Sequence, residues 1–175
     1  TSLTYVYVPG SNTLSGSVAA LTSLTYLEVT GSNTLSGSVA GLTSLTYLAV
    51  YGSNTLSGSV AALTSLTYLY VTGSNTLSGS VAALTSLTVL VVTGGLNTIS
   101  WDVGPLVNLS TFQCHDNALS QAQVDAILLA MYTARVGYVA ATKTANLGGT
   151  NADPSGVYQN AAPPTTGLEY KYKLV

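Results

Sequence analysis

Apolar positions recur with a fixed period of 21 residues through the first half of the chain. The segment from Leu21 reads LTSLTYLEVTGSNTLSGSVAG, and the segments from Leu42 and Leu63 repeat it with changes at three places. Two apolar residues in each copy, such as Leu27 and Val29, stand two positions apart, which predicts a short strand with one inward side. A period of this length predicts a solenoid, in which each coil buries its apolar side only against its neighbours.

Each copy is predicted to have a strand half and a turn half. In the copy from Leu21 the strand half places Tyr26, Glu28 and Thr30 on the outward side. A Gly-Ser-Asn sequence at 31–33 then ends the strand. Stacking of such coils is expected to place successive strands side by side and parallel, about 4.8 Å apart. The return segment turns three further apolar residues inward, which are Leu35, Val39 and Leu42.

The motif L-x-x-L-x-x-L-x-V followed by N-x-L-S-G-x-V resembles the leucine-rich repeat, and the sequence NTLSGSV resembles its plant-type subclass. The resemblance extends from Leu3 to about Leu119 and implies an α/β repeat solenoid, a right-handed leucine-rich-repeat array of parallel strands in six coils. Most copies have one residue more than the usual spacing, and we expect a bulge at Gly31, Gly52 and Gly73 to absorb it. The resemblance also implies a ladder of turn asparagines bonded to backbone, at Asn12, Asn33, Asn54, Asn75, Asn97 and Asn117.

The sequence after the repeats has a different character, so we divide the chain into a solenoid at 1–119 and a C-terminal cap at 120–175. Residues 120–135 predict a helix, because Ser120 and Gln123 fit a capping box and the apolar residues after them form one stripe. Such a helix is expected to cover the open end of the solenoid. A strand within 138–147, a loop at 148–167 and an edge strand from Leu168 complete the predicted cap. The sequence NLGGTNADPSGVYQ within it resembles tails behind repeat arrays in bacterial and phage surface proteins.

Charge is scarce along the chain. Charged residues make up only 6% of it, the net charge is −2, and Glu28 is the one charged residue among the first 101. Nucleic acids and anionic membrane surfaces require clustered basic residues, so we expect neither as a partner. No apolar run approaches the roughly 20 residues of a membrane-spanning helix. The Ser-, Thr- and Tyr-rich composition favours an extracellular location or the surface of a cell or virion.

Three adjacent residues, Cys114, His115 and Asp116, have the chemistry of a catalytic group but not its placement. Neighbours on a strand point to opposite faces. Cys114 occupies the core position of Val29 and Val50, where a buried cysteine is ordinary. No second histidine or carboxylate recurs at ligand spacing. We therefore expect no enzymatic activity, no metal and no cofactor.

Tyrosine is concentrated on the outward side of the predicted strands, where seven of the twelve tyrosines fall. Tyrosine combines apolar area with one hydroxyl and is common at binding surfaces. One interpretation is a face that binds a protein or carbohydrate; the other is a ladder that only stabilises the sheet by cross-strand contacts. The predicted ligand-binding residues are Tyr7, Tyr26, Glu28, Tyr47, Ala49, Tyr51, Tyr68, Tyr70, Thr72, Val91, Gln113 and His115.

These observations favour a non-enzymatic recognition or adhesion module. The alternative is a structural surface protein that self-assembles end to end, because the first coil is expected to expose Leu3, Val6, Val8 and Leu14, and an open strand edge is a template for another chain. Regular threonine rows, at 22, 43, 64 and 85 and at 25, 46, 67 and 88, also suggest an ice-binding face or, more simply, a polar surface solvated without charges.

Overall fold

The computed structural model describes residues 2–10, 13–31, 33–52, 54–94, 97–134 and 144–155. These residues form a parallel-strand β-solenoid of about five turns, with one helix near its C-terminal end. In chain order the elements are β1 (Tyr5–Val8), β2 (Ser15–Ser17), β3 (Tyr26–Val29), β4 (Thr34–Ser38), β5 (Tyr47–Val50), β6 (Thr55–Ser59), β7 (Tyr68–Thr72), β8 (Thr76–Ser80), β9 (Val89–Thr93), β10 (Thr98–Ser100), β11 (Thr111–Gln113), α1 (Gln121–Ala134) and β12 (Thr144–Asn146).

The strands belong to two parallel sheets. The first has the order β1-β3-β5-β7-β9-β11-β12, and the second has the order β10-β8-β6-β4-β2. In the first sheet equivalent repeat positions lie opposite each other, as Tyr5 and Tyr26 do. In the second sheet the pairing is staggered, because Ser15 lies opposite Thr34 and Ser36 lies opposite Ser17. Straight rows of equivalent side chains therefore cross the first sheet but not the second.

The second sheet corrects the sequence prediction, which assigned that half of each coil to turns. Its strands have the sequence Thr-Leu-Ser-Gly-Ser, which is poor in the β-branched and aromatic residues that favour strands. Each copy nevertheless lies beside the same segment of the next coil and pairs with it, since backbone groups brought together by stacking need hydrogen-bond partners. Within the described ranges the only helix follows the coils, so the predicted α/β class becomes a β-solenoid with one helix.

The inward residues of the repeat form the core as predicted. Leu27, Val29, Leu35, Val39 and Leu42 each expose 5% or less of their surface. Their equivalents in the later coils join them in one continuous apolar cluster that extends to the helix. Burial of each such side chain contributes about 1.5–3 kcal/mol, so the coil stack is stabilised mainly along this inner seam.

The expected number of six coils is corrected as well. Five coils of the described structure contain a strand in each sheet, whereas the coil that begins with β11 has no second strand. After β11 the backbone takes positive φ values at Asp116 and Ala118, 60° and 52°. The chain therefore leaves the coil path at this point and enters the helix.

The extra residue in each coil is accommodated at glycine. Gly31, Gly52 and Gly73 have φ angles of 89°, 101° and 117°, which confirms that these positions need a conformation that glycine adopts readily. Tight stacking adds a second requirement, because a Cβ on Gly52 would lie 2.1 Å from the carbonyl oxygen of Gly31. Glycine at this turn therefore serves both the backbone conformation and the close approach of neighbouring coils.

The asparagine ladder forms despite the extra residue. The Asn54 side chain donates to the carbonyl oxygen of Thr72 at 2.9 Å, in the next coil. The Asn75 side-chain oxygen accepts from the backbone nitrogen of Leu56 at 3.0 Å, in the preceding coil. Both asparagines are fully buried. The ladder thus ties successive coils together, while Asn12 lies outside the described residues.

Helix α1 lies within the predicted range of 120–135. The backbone nitrogen of Ser120 donates to the Gln123 side chain at 2.9 Å, and the Gln123 backbone nitrogen donates to the Ser120 hydroxyl at 3.4 Å, which confirms the capping box. The strand predicted within 138–147 is β12. The loop beyond residue 155 and the strand predicted from Leu168 lie outside the described residues. The apolar stripe of the helix is buried as predicted, through Val124, Ile127, Leu128 and Met131.

Candidate binding face

Four tyrosines of the first sheet form a continuous stack, which we call the tyrosine ladder. Tyr5, Tyr26, Tyr47 and Tyr68 come from β1, β3, β5 and β7 and lie opposite one another in register. Successive ring centroids are 4.5, 4.4 and 4.4 Å apart, with interplanar angles of 13°, 8° and 9°. This spacing follows the separation of about 4.8 Å between neighbouring strands. The cross-strand stacking considered from the sequence is therefore present.

Stacking determines which part of the ladder is accessible. Tyr26 and Tyr47 have a neighbouring ring against each face, and both are half-buried. Their ring edges and hydroxyl groups are the parts that remain available to solvent. Tyr5 has a ring against one face only and is 58% exposed. The ladder therefore presents a row of edges and hydroxyls, with one open ring face at its N-terminal end.

A single carboxylate lies beside the ladder. The Tyr26 hydroxyl donates a hydrogen bond to Oε2 of Glu28, two residues further along β3. This bond, with burial as a smaller cause, raises the pKa of Tyr26. The pKa of Tyr47 is also raised, chiefly by burial and then by the neighbouring groups of Tyr68 and Glu28. These phenols stay protonated well above neutral pH, and the Tyr26 hydroxyl, whose hydrogen is already donated to Glu28, can still accept a hydrogen bond from a partner.

Two further tyrosines, which we call the variable pair, stand where the copied repeats differ. The ring centroids of Tyr51 and Tyr70 are 4.7 Å apart at an angle of 32°. The Tyr70 ring also lies 6.4 Å from that of Tyr68, so the pair adjoins the tyrosine ladder. Burial is the largest cause that raises the pKa of Tyr51. Both side chains are half-buried and keep an accessible part.

Two predicted binding residues are placed differently from the expectation. Ala49 and Val91 expose 0% and 1% of their surface, so neither is available to a ligand and the prediction is wrong for both. Each lies opposite Tyr70, one on either side of it in the sheet. Ala49 lies opposite Tyr70 and two residues before Tyr51, and the rings of these two tyrosines are 4.7 Å apart. We attribute the burial of Ala49 to these two large neighbours.

This packing explains part of the variation between the copies. The coil with Ala49 carries Tyr51 two positions later, whereas the next coil carries Tyr70 with Thr72 two positions later. These two coils each contribute one large and one small side chain, and the two rings contact each other. The variation is a matched packing arrangement, and its visible result is a tyrosine pair beside the ladder.

The C-terminal part of the same face is polar. Gln113 and His115 are half-buried, and Gln113 lies opposite Asn146 of β12. Nδ1 of His115 is 2.8 Å from Oδ2 of Asp116, and this hydrogen bond lowers the pKa of the Asp116 carboxyl group. The backbone nitrogen of Thr150 also donates to Asp116 at 2.9 Å. This end of the face is therefore held by its own contacts and is separated from the tyrosines by Val91.

Two residues of the face were missed in the predicted site. Tyr5 shares the row of Tyr26 and is its most exposed member, and the repeat period was sufficient to find it. Asn146 extends the face through β12, which pairs with β11 although helix α1 separates the two strands in sequence. No local pattern in the sequence indicates that pairing.

Among the three adjacent residues Cys114, His115 and Asp116, the cysteine lies apart in the core, whereas the histidine and the aspartate are joined by the hydrogen bond described above. Cys114 is fully buried, which confirms its core position, and burial raises the pKa of its thiol to about 12. His115 is partly exposed on the opposite side. Across the described part of the chain, no three metal-ligating side chains come together. None of its helices is long and apolar enough to cross a membrane.

One of the two threonine rows has a role in the coil stack. The hydroxyl groups of Thr25, Thr46, Thr67 and Thr88 each donate to a backbone carbonyl of the preceding coil, at 3.0, 2.9, 3.0 and 2.9 Å. Their donor hydrogens are thus used within the protein. This arrangement favours the interpretation of a polar, coil-stabilising surface.

No protein-family model matches this chain, and no curated protein matches it. The resemblance to leucine-rich repeats therefore depends on the repeat motif alone. The structure itself establishes the parallel-strand solenoid and the tyrosine-lined face of its first sheet.

Proposed function

We propose that this chain is a non-enzymatic recognition module of the leucine-rich-repeat type, which binds a partner protein outside the cell or on the surface of a cell or virion. The binding surface, which we call the tyrosine face, consists of the tyrosine ladder, Tyr7, Glu28 and the variable pair. The observation that carries the proposal is the collection of seven partly or fully exposed tyrosines on one side of one sheet.

The rings of the tyrosine face are held in position before any partner arrives. Exposed aromatic patches usually mark contact surfaces, and tyrosine offers a large contact area at low entropic cost. Stacking between neighbours at 4.4–4.5 Å limits the motion of the ladder rings further. Ordering of side chains normally opposes association, so a preordered face loses less free energy on binding.

The ring orientation favours a protein over a carbohydrate. A sugar packs its C–H groups against the open face of an aromatic ring, but both faces of Tyr26 and Tyr47 are covered by other rings. Edges and hydroxyl groups suit a protein surface with apolar side chains and backbone carbonyls. Glu28 adds one carboxylate to this otherwise uncharged area.

The proposal is tested by selecting molecules that bind the chain and then measuring whether they still bind variants that lack tyrosines of this face. The purified chain is exposed in parallel to a displayed random-peptide library and to a glycan array. We expect peptide binders that compete with one another and fail to bind the Tyr51→Ala/Tyr70→Ala variant. A Thr64→Ala/Thr85→Ala variant, changed at exposed positions outside the tyrosine face, should retain them. Peptides that bind the Tyr51→Ala/Tyr70→Ala variant as well as the unchanged chain would show that the tyrosine face is not the binding surface. Strong binding to glycans would show that the ligand is a carbohydrate and not a protein.

A second candidate function, end-to-end self-assembly, is favoured by the first coil. Leu3 and Leu14 are 51% and 38% exposed, and Tyr5 and Tyr7 are 58% and 52% exposed. In the described residues β1 pairs on one side only, with β3. Another coil of the same sequence offers the matching strand and the matching tyrosine, and an open parallel edge promotes such pairing.

A further inference from the structure

We infer that Tyr26 and Tyr47 form a site of oxidative cross-linking, at which a one-electron oxidant joins two neighbouring coils through a dityrosine bond. Their ring centroids are 4.4 Å apart and their planes differ by 8°. Strands β3 and β5 hold the two residues directly opposite each other. Equivalent atoms of the two rings therefore face each other, including the ring carbons beside the hydroxyl groups.

The hydrogen bond between Tyr26 and Glu28 makes Tyr26 the favoured site of the first oxidation. A phenol that loses an electron becomes strongly acidic and must release its proton. The Glu28 carboxylate already accepts the Tyr26 hydroxyl hydrogen and is positioned to receive that proton, as a general base must be. Tyr47, stacked on the resulting radical, is the nearest partner on the C-terminal side and is itself only half-buried.

Each phenol gives one electron to the oxidant and one proton to a base, which is Glu28 for Tyr26 and water for Tyr47. The two phenoxyl radicals couple through the ring carbons beside their oxygens and form one carbon–carbon bond. The hydrogen on each coupled carbon then moves to the phenol oxygen as a proton, and both rings become aromatic again. The chain loses two hydrogen atoms in total, and an oxidant such as a haem peroxidase with hydrogen peroxide takes up the electrons while the peroxide is reduced to water.

Within the tyrosine ladder the stacking is nearly uniform, since the Tyr47 and Tyr68 rings are also 4.4 Å apart, and the hydrogen bond to Glu28 is what selects Tyr26. The geometry separates the ladder from the other tyrosines. Tyr51 and Tyr70 are tilted by 32° at a longer distance of 4.7 Å, so their rings are less well aligned for coupling. Tyr132 belongs to helix α1, away from the ladder in sequence and fold. A bond between Tyr26 and Tyr47 ties two coils covalently and prevents them from separating at this side of the solenoid.

The sequence provides a direct assay. Glu28 is the only acidic residue before Asp102, so a glutamate-specific protease cuts the unfolded chain between the two tyrosines. The native protein is first oxidised with a photoexcited ruthenium tris-bipyridyl complex and persulfate, then denatured and digested. We expect the oxidised monomer to have lost the mass of two hydrogen atoms before digestion, and residues 1–28 to stay attached to residues 29–169 after it. Release of that fragment, or attachment only in dimers, would overturn the proposal.

Matched variants distinguish this site from general oxidation. Tyr26→Phe keeps a stackable ring but removes the phenol, and it should release the fragment almost completely. Tyr132→Phe removes a tyrosine elsewhere and should behave like the unchanged protein. Glu28→Gln keeps the side-chain shape without the base, and dityrosine fluorescence should then develop several-fold more slowly. When the unchanged protein is oxidised in urea, where the rings are not stacked, digestion should also release the fragment. If the fragment stays attached in urea or in Tyr26→Phe to the same extent as in the native protein, the stacked tyrosines are not the site of cross-linking.

Discussion

Three glycines allow the coil stack to be tested by adding one methyl group at a time. Gly10 and Gly52 occupy the same position of the repeat and have φ angles of 76° and 101°. A Cβ on Gly10 meets no atom within 4 Å, whereas one on Gly52 lies 2.1 Å from the carbonyl oxygen of Gly31. Gly41 has neither restriction, since its Cβ lies 3.7 Å from the nearest atom and the other repeats carry alanine there.

The expected changes in unfolding free energy follow from these contacts. Gly41→Ala should be neutral or stabilising by about 0.4–1 kcal/mol, because alanine restricts the unfolded chain. Gly10→Ala places a side chain in the left-handed region and should destabilise by about 1–2 kcal/mol. Gly52→Ala adds an overlap with backbone, and the hydrogen bond of 3.0 Å from Tyr51 to Val29 resists the shift that would relieve it. Backbone strain and overpacking together predict a loss of about 2–6 kcal/mol.

Urea denaturation followed by circular dichroism measures the series. Solenoids do not always unfold in one step, so the midpoint of the first transition is the quantity to compare. The urea concentration at the midpoint should be highest for Gly41→Ala, lower for Gly10→Ala and lowest for Gly52→Ala. An equal effect of Gly10→Ala and Gly52→Ala would show that neighbouring coils do not approach as closely at this turn as the structure describes, and the reasoning would fail.

Three other predictions concern the tyrosine face, the core thiol and the open coil. Because the hydrogen bond to Glu28 raises the pKa of Tyr26, Glu28→Gln should return that phenol toward its ordinary value of 10.0 in a spectroscopic titration. The contribution of this phenol to stability should be constant below pH 10 and should be lost above it less steeply in the variant, and unchanged curves would contradict the bond. Cys114, with a thiol pKa of about 12, should react slowly with a thiol reagent in the native protein and rapidly after denaturation. The chain should self-associate as its concentration rises, and a polar coil fused before β1 should make it monomeric in light scattering; a strictly monomeric unmodified chain would exclude end-to-end assembly.

Much of the fold is predictable from the sequence period, because the stacking of nearly identical coils determines most of it. Alternation of Leu27 and Val29 with outward residues defines the first sheet, and the 21-residue period places its strands in register. The second sheet is not predictable in this way, since its Ser- and Gly-rich strands have weak intrinsic preference. They form because identical segments are stacked. The pairing of β12 with β11 is likewise a tertiary result, because a helix intervenes in sequence.

The sequence predicts on which side of the sheet each residue of the candidate site lies, but it does not predict how exposed that residue is to solvent. The sequence places Ala49 on the same side as Glu28 and Tyr70, and the register confirms that placement. Its burial depends on how two tyrosines from different coils lean toward each other, which period and alternation do not specify. The sequence also does not distinguish a protein ligand from a carbohydrate, because that distinction depends on the stacking of tyrosine rings from neighbouring strands.

The central claim is that the tyrosine face binds a partner, and a titration tests it most directly. A peptide selected on the unchanged protein is titrated calorimetrically into that protein, into Tyr51→Ala/Tyr70→Ala and into the Thr64→Ala/Thr85→Ala control. A tyrosine at the centre of an interface is worth about 2 kcal/mol or more, which is roughly 30-fold in affinity, so the double variant should bind at least roughly 30-fold more weakly, while the control keeps its affinity and both variants keep the native circular dichroism spectrum. Equal affinity for all three proteins would show that the tyrosines only stabilise the sheet and would contradict the proposed function.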